Sequence, residues 1–110
     1  MAGLADQRCE DCTPGTPPLP ADEIAELRTQ LNDGWTVVDG TMIHRDIRLP
    51  DFMSAIHLAD QIAVVAEEQG HHPDLHVSWG RLGIDLSTHT AHGLTRNDFI
   101  LAAKIDRLAP

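Results

Sequence analysis

The sequence predicts an α+β domain: a four-stranded antiparallel sheet with three helices on one face, in the order helix, hairpin, helix, hairpin, helix. Three observations predict it. Two pairs of short alternating runs each meet at a tight glycine-containing turn, as β-hairpins do. Three stretches with apolar residues three and four apart separate and flank those pairs, as amphipathic helices would. With 110 residues, 42% of them hydrophobic but only 4% aromatic and none tyrosine, the chain fits one domain with an aliphatic core. Stacking the helices on one side of one sheet is the economical way to bury every apolar face.

Taken in order, residues 1–20 form an acidic, proline-rich arm, and the domain proper is expected over 21–110. Thr13-Pro14-Gly15-Thr16-Pro17-Pro18-Leu19-Pro20 can be neither helix nor central strand, because its prolines fix φ and lack donors. From Ala21 to Asn32, Ile24, Leu27 and Leu31 share a helical face, Asp22 and Glu23 favour the positive N-terminal end of the dipole, and Asn32-Asp33-Gly34 stops the helix. Trp35 to Val38 and Met42 to Leu49 are strands joined by Asp39-Gly40, a pair suited to a type I′ turn. Pro50-Asp51 opens the second helix, whose stripe of Phe52, Ile56, Ala59, Ala63 and Ala66, widened by Met53, Leu58, Ile62 and Val65, marks it as the longest and most buried. Gly70 suits the left-handed position that closes a helix, and Pro73 forbids continuation.

In the second hairpin Leu75, Val77 and Trp79 alternate with polar residues, as do Leu82, Ile84 and Leu86. A two-residue turn at Gly80-Arg81 pairs 79 with 82, 77 with 84 and 75 with 86, all apolar residues on one face. Continuing the count sets position 72 opposite 89. Thr95-Arg96-Asn97-Asp98 resembles a capping box with Asp in place of Glu and opens a last helix through Phe99, Ile100, Ala102, Ala103 and Ile105 to about Leu108.

The formal charge of −9, with seven acids against two bases in the first 33 residues, disfavours nucleic acid and anionic membrane partners. No apolar run approaches the roughly 20 residues of a membrane span, and Met1 to Asp6 lack a signal-peptide pattern, so a cytoplasmic location is expected. Cys9 and Cys12 are spaced as a Cys-x-x-Cys pair. Glu10 and Asp11 between them work against a reactive thiolate, and a second pair of zinc ligands is missing nearby, which leaves an incidental pair in a mobile arm.

The chemistry lies elsewhere. Five of the seven histidines (His71, His72, His76, His89 and His92) fall within 22 residues. A metal site fits poorly: adjacent histidines rarely turn to one ion, and Pro73 breaks the helix that would align His72 with His76. His76, His44 and His57 read as partly exposed surface residues. The hairpin count, however, brings His71, His72 and His89 together beside the end of the long helix. Three imidazoles in one cleft cannot all be protonated cheaply, so an acid and a base coexist at neutral pH. Such a site, without a nucleophile, metal or cofactor, suits proton transfer, for example the elimination of water from a labile adduct.

His71-His72-Pro73-Asp74, Trp79 where relatives usually have Tyr, Leu86-Ser87-Thr88-His89, and Gly93-Leu94-Thr95 with Asp98 together resemble the signature of the pterin-4a-carbinolamine dehydratases. The likeness runs from about Cys9 to Asp106 and includes Pro18-Leu19, Glu23-Ile24, Gly34-Trp35 and Ala66-Glu67. It implies an α+β fold and a hydro-lyase that converts 4a-hydroxytetrahydropterin to quinonoid dihydropterin without metal or cofactor, recycling a tetrahydrobiopterin-type cofactor for an aromatic amino acid hydroxylase. By position it implies His71, His72 and His89 as catalytic residues. It further implies Pro73, Thr88, Thr90 and Ala91 in segments that hold the pterin, Glu67 and Asp98 as acids near the site, and Trp35 as a tryptophan close to it. Leu75, Asn97 and Gly70 depart from residues common in relatives.

The alternative is a non-catalytic protein-binding or assembly module on the same fold, which would have no need of converging imidazoles. A homodimer or homotetramer is expected, with Val37, Ile43, Ile47 and the strand edges contributing an interface on the uncovered face of the sheet.

Overall fold

The computed structural model describes residues 3–10 and 15–110. Three helices, α1 (Ala21–Arg28), α2 (Phe52–Gln69) and α3 (Arg96–Leu108), alternate with two hairpins, β1 (Thr36–Val38) with β2 (Met42–Arg48) and β3 (Asp74–Ser78) with β4 (Arg81–Leu86). The expected α+β architecture and element order are those observed. All strands pair antiparallel in the order β1-β2-β4-β3, so the two hairpins join through their second strands. Ile43 lies opposite Leu86 and Ile47 opposite Leu82, and with Ile84 they form the sheet's contribution to one core shared with Ile24, Leu27, Leu58, Ile62, Phe99 and Ile105.

Local chemistry sets each boundary. Asp39 and Gly40 both adopt positive φ, 53° and 69°, as a type I′ turn requires, and Thr41 N–H returns to Val38 O at 3.0 Å. Asp51 caps α2 by accepting from Ser54 N at 2.8 Å. Gly70 ends it at φ 63°, a conformation that costs glycine little. The capping box of α3 forms as the sequence suggests.

Four expectations are corrected. The second turn is Trp79-Gly80, not Gly80-Arg81: Ser78 pairs with Arg81, Val77 with Leu82 and Leu75 with Ile84, and Gly80 carries φ 70° in the second loop position. A shift of two residues preserves side-chain parity, so the apolar face survives, but Trp79 leaves the strand and stands 75% exposed. Secondly, α2 is the longest helix, but α3 is the most buried. The core-facing stripe of α2 is Ala55, Leu58, Ile62 and Ala66, and Phe52, Met53, Ile56 and Val64 are exposed. Because the apolar residues of α2 spread well beyond one stripe, its period alone could not tell which of them meet the sheet. Thirdly, Ile43 and Ile47 are buried beneath the helices rather than available on the open face. That open face is polar: His44 Nδ1 meets Asp85 Oδ1 at 2.5 Å, His76 Nε2 meets Asp85 Oδ2 at 3.0 Å, and Arg81 pairs with Asp46.

Lastly, packed structure begins well before Ala21. A 3₁₀ turn at Leu4–Asp6 lies on α3, with Leu4 buried, Lys104 Nζ donating to Ala5 O at 2.9 Å and Arg107 paired with Asp6 at 3.0 Å. Cys9 is half-buried, its N–H on Gln69 Oε1 at 2.8 Å and its Sγ 3.6 Å from Asn97 O. Cys12 lies outside the described residues. Further on, Leu19 N–H donates to Leu94 O at 2.8 Å and Pro18 closes on Gly93, where an added Cβ would stand 3.1 Å from the proline ring.

Candidate active site

At one end of the molecule α2 stops at Gly70, β4 runs out at Leu86 and α3 begins. A cleft of ≈ 420 Å³ opens between these ends, with Gly70, His71 and His72 on one side and Ser87, Thr88, His89 and Thr90 on the other; Asn97 of α3 and Glu10 complete its lining. The three histidines proposed from the sequence thus border one cleft, although the registration that suggested it was two residues out. The true ladder would set position 72 opposite 87. His89 reaches the cleft because the chain folds back there: Thr88 N–H donates to Gly93 O at 2.8 Å, and the 3₁₀ turn His89–Ala91 closes on His92 at a left-handed φ of 54°.

Two of the imidazoles are held by carboxylates. His71 Nε2 lies 2.6 Å from Asp98 Oδ1, with the histidine side chain only 11% exposed and the aspartate fully buried. The other oxygen of Asp98 accepts from Thr88 Oγ1 and from the Thr95 backbone N–H, each at 2.9 Å, and Thr88 and Thr95 hydroxyls lie 2.9 Å apart. Asp98 therefore caps α3, ties the Thr88 segment to it and orients His71. A buried carboxylate needs this many partners to offset its lost hydration. Facing a carboxylate, Nε2 of His71 carries the proton, which leaves Nδ1 for other work. His72 Nε2 meets Glu67 Oε1 at 2.8 Å across the last turn of α2, in an exposed pair. His89 and Thr90 are exposed on the opposite wall.

The remaining residues divide. Thr88 lines the cleft, Ala91 is buried beneath the 3₁₀ turn, and Pro73 is half-buried beside His72; neither of the last two is among the lining residues. Trp35 is not at the cleft. Its ring is fully buried and its Nε1 donates to Asp106 Oδ1 at 2.8 Å, an acceptor shared with Arg45, and Asp106 stands two turns of α3, about 12 Å, beyond Asp98. Trp35 thus secures the far end of α3 by satisfying a partly buried ion pair. Sequence reasoning missed Glu10 as a cleft residue and treated Asn97 only as a departure. Asn97 Oδ1 accepts from Glu10 N at 3.0 Å and its Nδ2 donates to Glu10 O at 2.6 Å, a clamp between residues 87 positions apart that no local pattern could reveal.

Comparison with known proteins identifies the family. The profile of the family described as pterin 4 alpha carbinolamine dehydratase matches residues 17–108. A Rickettsia bellii protein provisionally named pterin-4-alpha-carbinolamine dehydratase is 45% identical over 105 residues, 96% of this chain and 93% of its own. A relative from Rubrobacter xylanophilus with the same provisional name is 44% identical, covering 98% of this chain and all of its own length. Among solved structures, one described as a transcriptional coactivator/pterin dehydratase from Brucella melitensis superposes with a TM-score of 0.79 at 34% identity, over 84% of this chain and 99% of that one. The chain belongs to the pterin-4a-carbinolamine dehydratase family.

Proposed function

We propose that this protein removes water from 4a-hydroxytetrahydropterin by histidine acid-base catalysis. The observation that carries the reading is the meeting of His71, His72 and His89 around one cleft, two of them backed by carboxylates. In the reaction the C4a–O bond breaks as the hydroxyl takes a proton and leaves as water. N5 gives up its proton, and the electrons of that N–H bond close the C4a=N5 double bond. Before this step His71 takes up a proton at Nδ1 while Asp98 keeps the one at Nε2; it and His89 then deliver the proton to the hydroxyl, and His72 takes the one from N5 or orients the ring. General acid-base assistance is worth roughly 10²–10⁴-fold, enough for an adduct that also collapses unaided. The product, once reduced, would serve an aromatic amino acid hydroxylase again. Stopped-flow ultraviolet decay of 4a-hydroxytetrahydropterin tests the proposal: the wild type should accelerate decay, and His72→Ala or His89→Ala should lose most of the gain. A wild type no faster than buffer refutes it.

We also infer a homo-oligomer, with the interface on α2 rather than on the open sheet. Phe52, Met53, Ile56 and Val64 stand 36–59% exposed on one helix, more large apolar surface than an isolated helix face normally leaves to water. Sizing chromatography yielding only a 12.1 kDa species at micromolar concentration would contradict this. The domain boundary expected at residue 21 is better drawn to include the docked segment 3–10, and deletion of that segment should lower thermal stability.

A further inference from the structure

The dehydratase reading uses the histidines and leaves one group in the cleft without work. Glu10 is the single carboxylate-bearing residue among the described residues that line it. The other two acids nearby are occupied: Asp98 accepts from three donors, and Glu67 is paired with His72. The carboxylate of Glu10 has no hydrogen-bond or ion-pair partner among the described residues, yet its backbone is fixed on both sides. Asn97, itself 7% exposed, holds Glu10 N–H and C=O with one amide, and the preceding N–H is held by Gln69 at the end of α2. Gln69 lies two residues before His71, and Asn97 lies one residue before Asp98. The strap that carries Glu10 is therefore bonded to the same two helix ends that set the histidines.

Resting on that reading, we propose that Glu10 is a substrate-binding residue that recognises the 2-amino, N3–H edge of the pterin. That edge presents two parallel N–H donors, and a carboxylate accepts such a pair in bidentate fashion. The reacting C4a and N5 lie on another side of the same rigid bicycle. A ring anchored by Glu10 can therefore still offer them to the imidazoles opposite. Because the strap is bound in place beforehand, little ordering is left to be done when substrate arrives. Selection for an amino group at C2 over a carbonyl follows, since a carbonyl would face the carboxylate with a lone pair instead of a donor.

The test uses the full chain and its Glu10→Gln and Glu10→Ala variants. Calorimetric titration would compare 7,8-dihydropterin with 7,8-dihydrolumazine, which carries oxygen in place of the 2-amino group, alongside stopped-flow kinetics with 4a-hydroxytetrahydropterin. The wild type should prefer dihydropterin. Both variants should bind it about tenfold more weakly and lose the preference, with KM raised by a similar factor and kcat within about twofold, the signature of lost ground-state binding. Unchanged melting temperatures are expected, because the side chain has no hydrogen-bond or ion-pair partner among the described residues. Catalysis with KM and ligand preference unmoved by either variant overturns the role of Glu10 and leaves the dehydratase reading standing. A wild type that neither binds dihydropterin nor accelerates decay overturns both.

Discussion

Replacing Asp98 by Asn tests whether the buried carboxylate sets the working form of His71. The substitution is isosteric, and the polar surroundings dictate how the amide must sit. Two donors, Thr95 N–H and Thr88 Oγ1–H, meet one oxygen of Asp98 at 2.9 Å, so the amide oxygen takes that place and the capping of α3 survives. The amide nitrogen then faces His71 Nε2 at a site 2.6 Å away, where two N–H groups cannot meet. The imidazole must move its proton to Nδ1, which has no partner among the described residues in the native arrangement. One charge-assisted hydrogen bond becomes a neutral one, a loss of about 1–2 kcal/mol, which for a domain of this size lowers Tm by roughly 4–8 °C. The kinetic effect should be larger than that of a merely loosened side chain. We expect kcat to fall about 10–100-fold, bounded by the roughly 10²–10⁴-fold that acid-base assistance supplies in all, with KM nearly constant and the pH-rate profile displaced. Stopped-flow decay across pH 6 to 9, at temperatures well below both melting points, measures it. Wild-type kcat with a wild-type pH profile would refute the idea that Asp98 positions His71, and would leave it a helix cap only.

Four further outcomes follow from single residues. On the open sheet face the hydrogen bond from Asp85 raises the pKa of His44 above its ordinary value, against the opposing pull of burial and with help from Asp46. That contribution to stability is complete below about pH 6.5 and is lost as pH rises through the folded-state value, so urea unfolding of the wild type should weaken over that window and His44→Gln should flatten the slope. For Asp85 burial alone would raise the pKa, but hydrogen bonds from His44 and His76 carry it below the usual range. Its share is therefore present above about pH 3.9 and is lost on acidification through the folded value. Gly70→Ala meets no atom within 4 Å but must hold φ 63°, so a destabilisation of about 1 kcal/mol is expected in chemical denaturation, and Gly70→Asn should recover part of it. Asn97→Ala removes both hydrogen bonds to Glu10; limited proteolysis should cut before residue 20 faster than in the wild type, while the amides of β4 keep their exchange protection.

Much of the fold was legible because its signals are local. The Asp39-Gly40 turn, the Thr95 to Asp98 cap and the stop at Gly70 each depend on residues within four positions of one another, and each formed where the sequence placed it. What failed was decided at longer range. Gly80 fits a two-residue turn in either the first or the second position, and the choice between them was made by pairing with β2, where Leu49 N–H donates to Gly80 O at 3.0 Å. The buried face of α2 was selected by the sheet from a helix whose apolar residues spread beyond one stripe. The convergence of the histidines was predicted on a false register, and it held because the turn of chain at 88–93 brings His89 back. The pairing of His71 with Asp98 spans 27 residues and that of Asn97 with Glu10 spans 87; neither has a periodic signature.

Asp98 closes a helix and steadies an imidazole with the same two oxygens, and this bears on how such a chain can change over generations. A lineage released from the need for the reaction could lose His72 or His89 at small cost to folding, since both are exposed. Losing Asp98 would strip the start of α3, Thr88 and His71 of a shared partner at once. Drift should therefore erase the exposed histidines first and the buried aspartate last. An aspartate at this place in a distant relative testifies to an inherited architecture, and the surviving histidines around it are the better witnesses to an inherited chemistry.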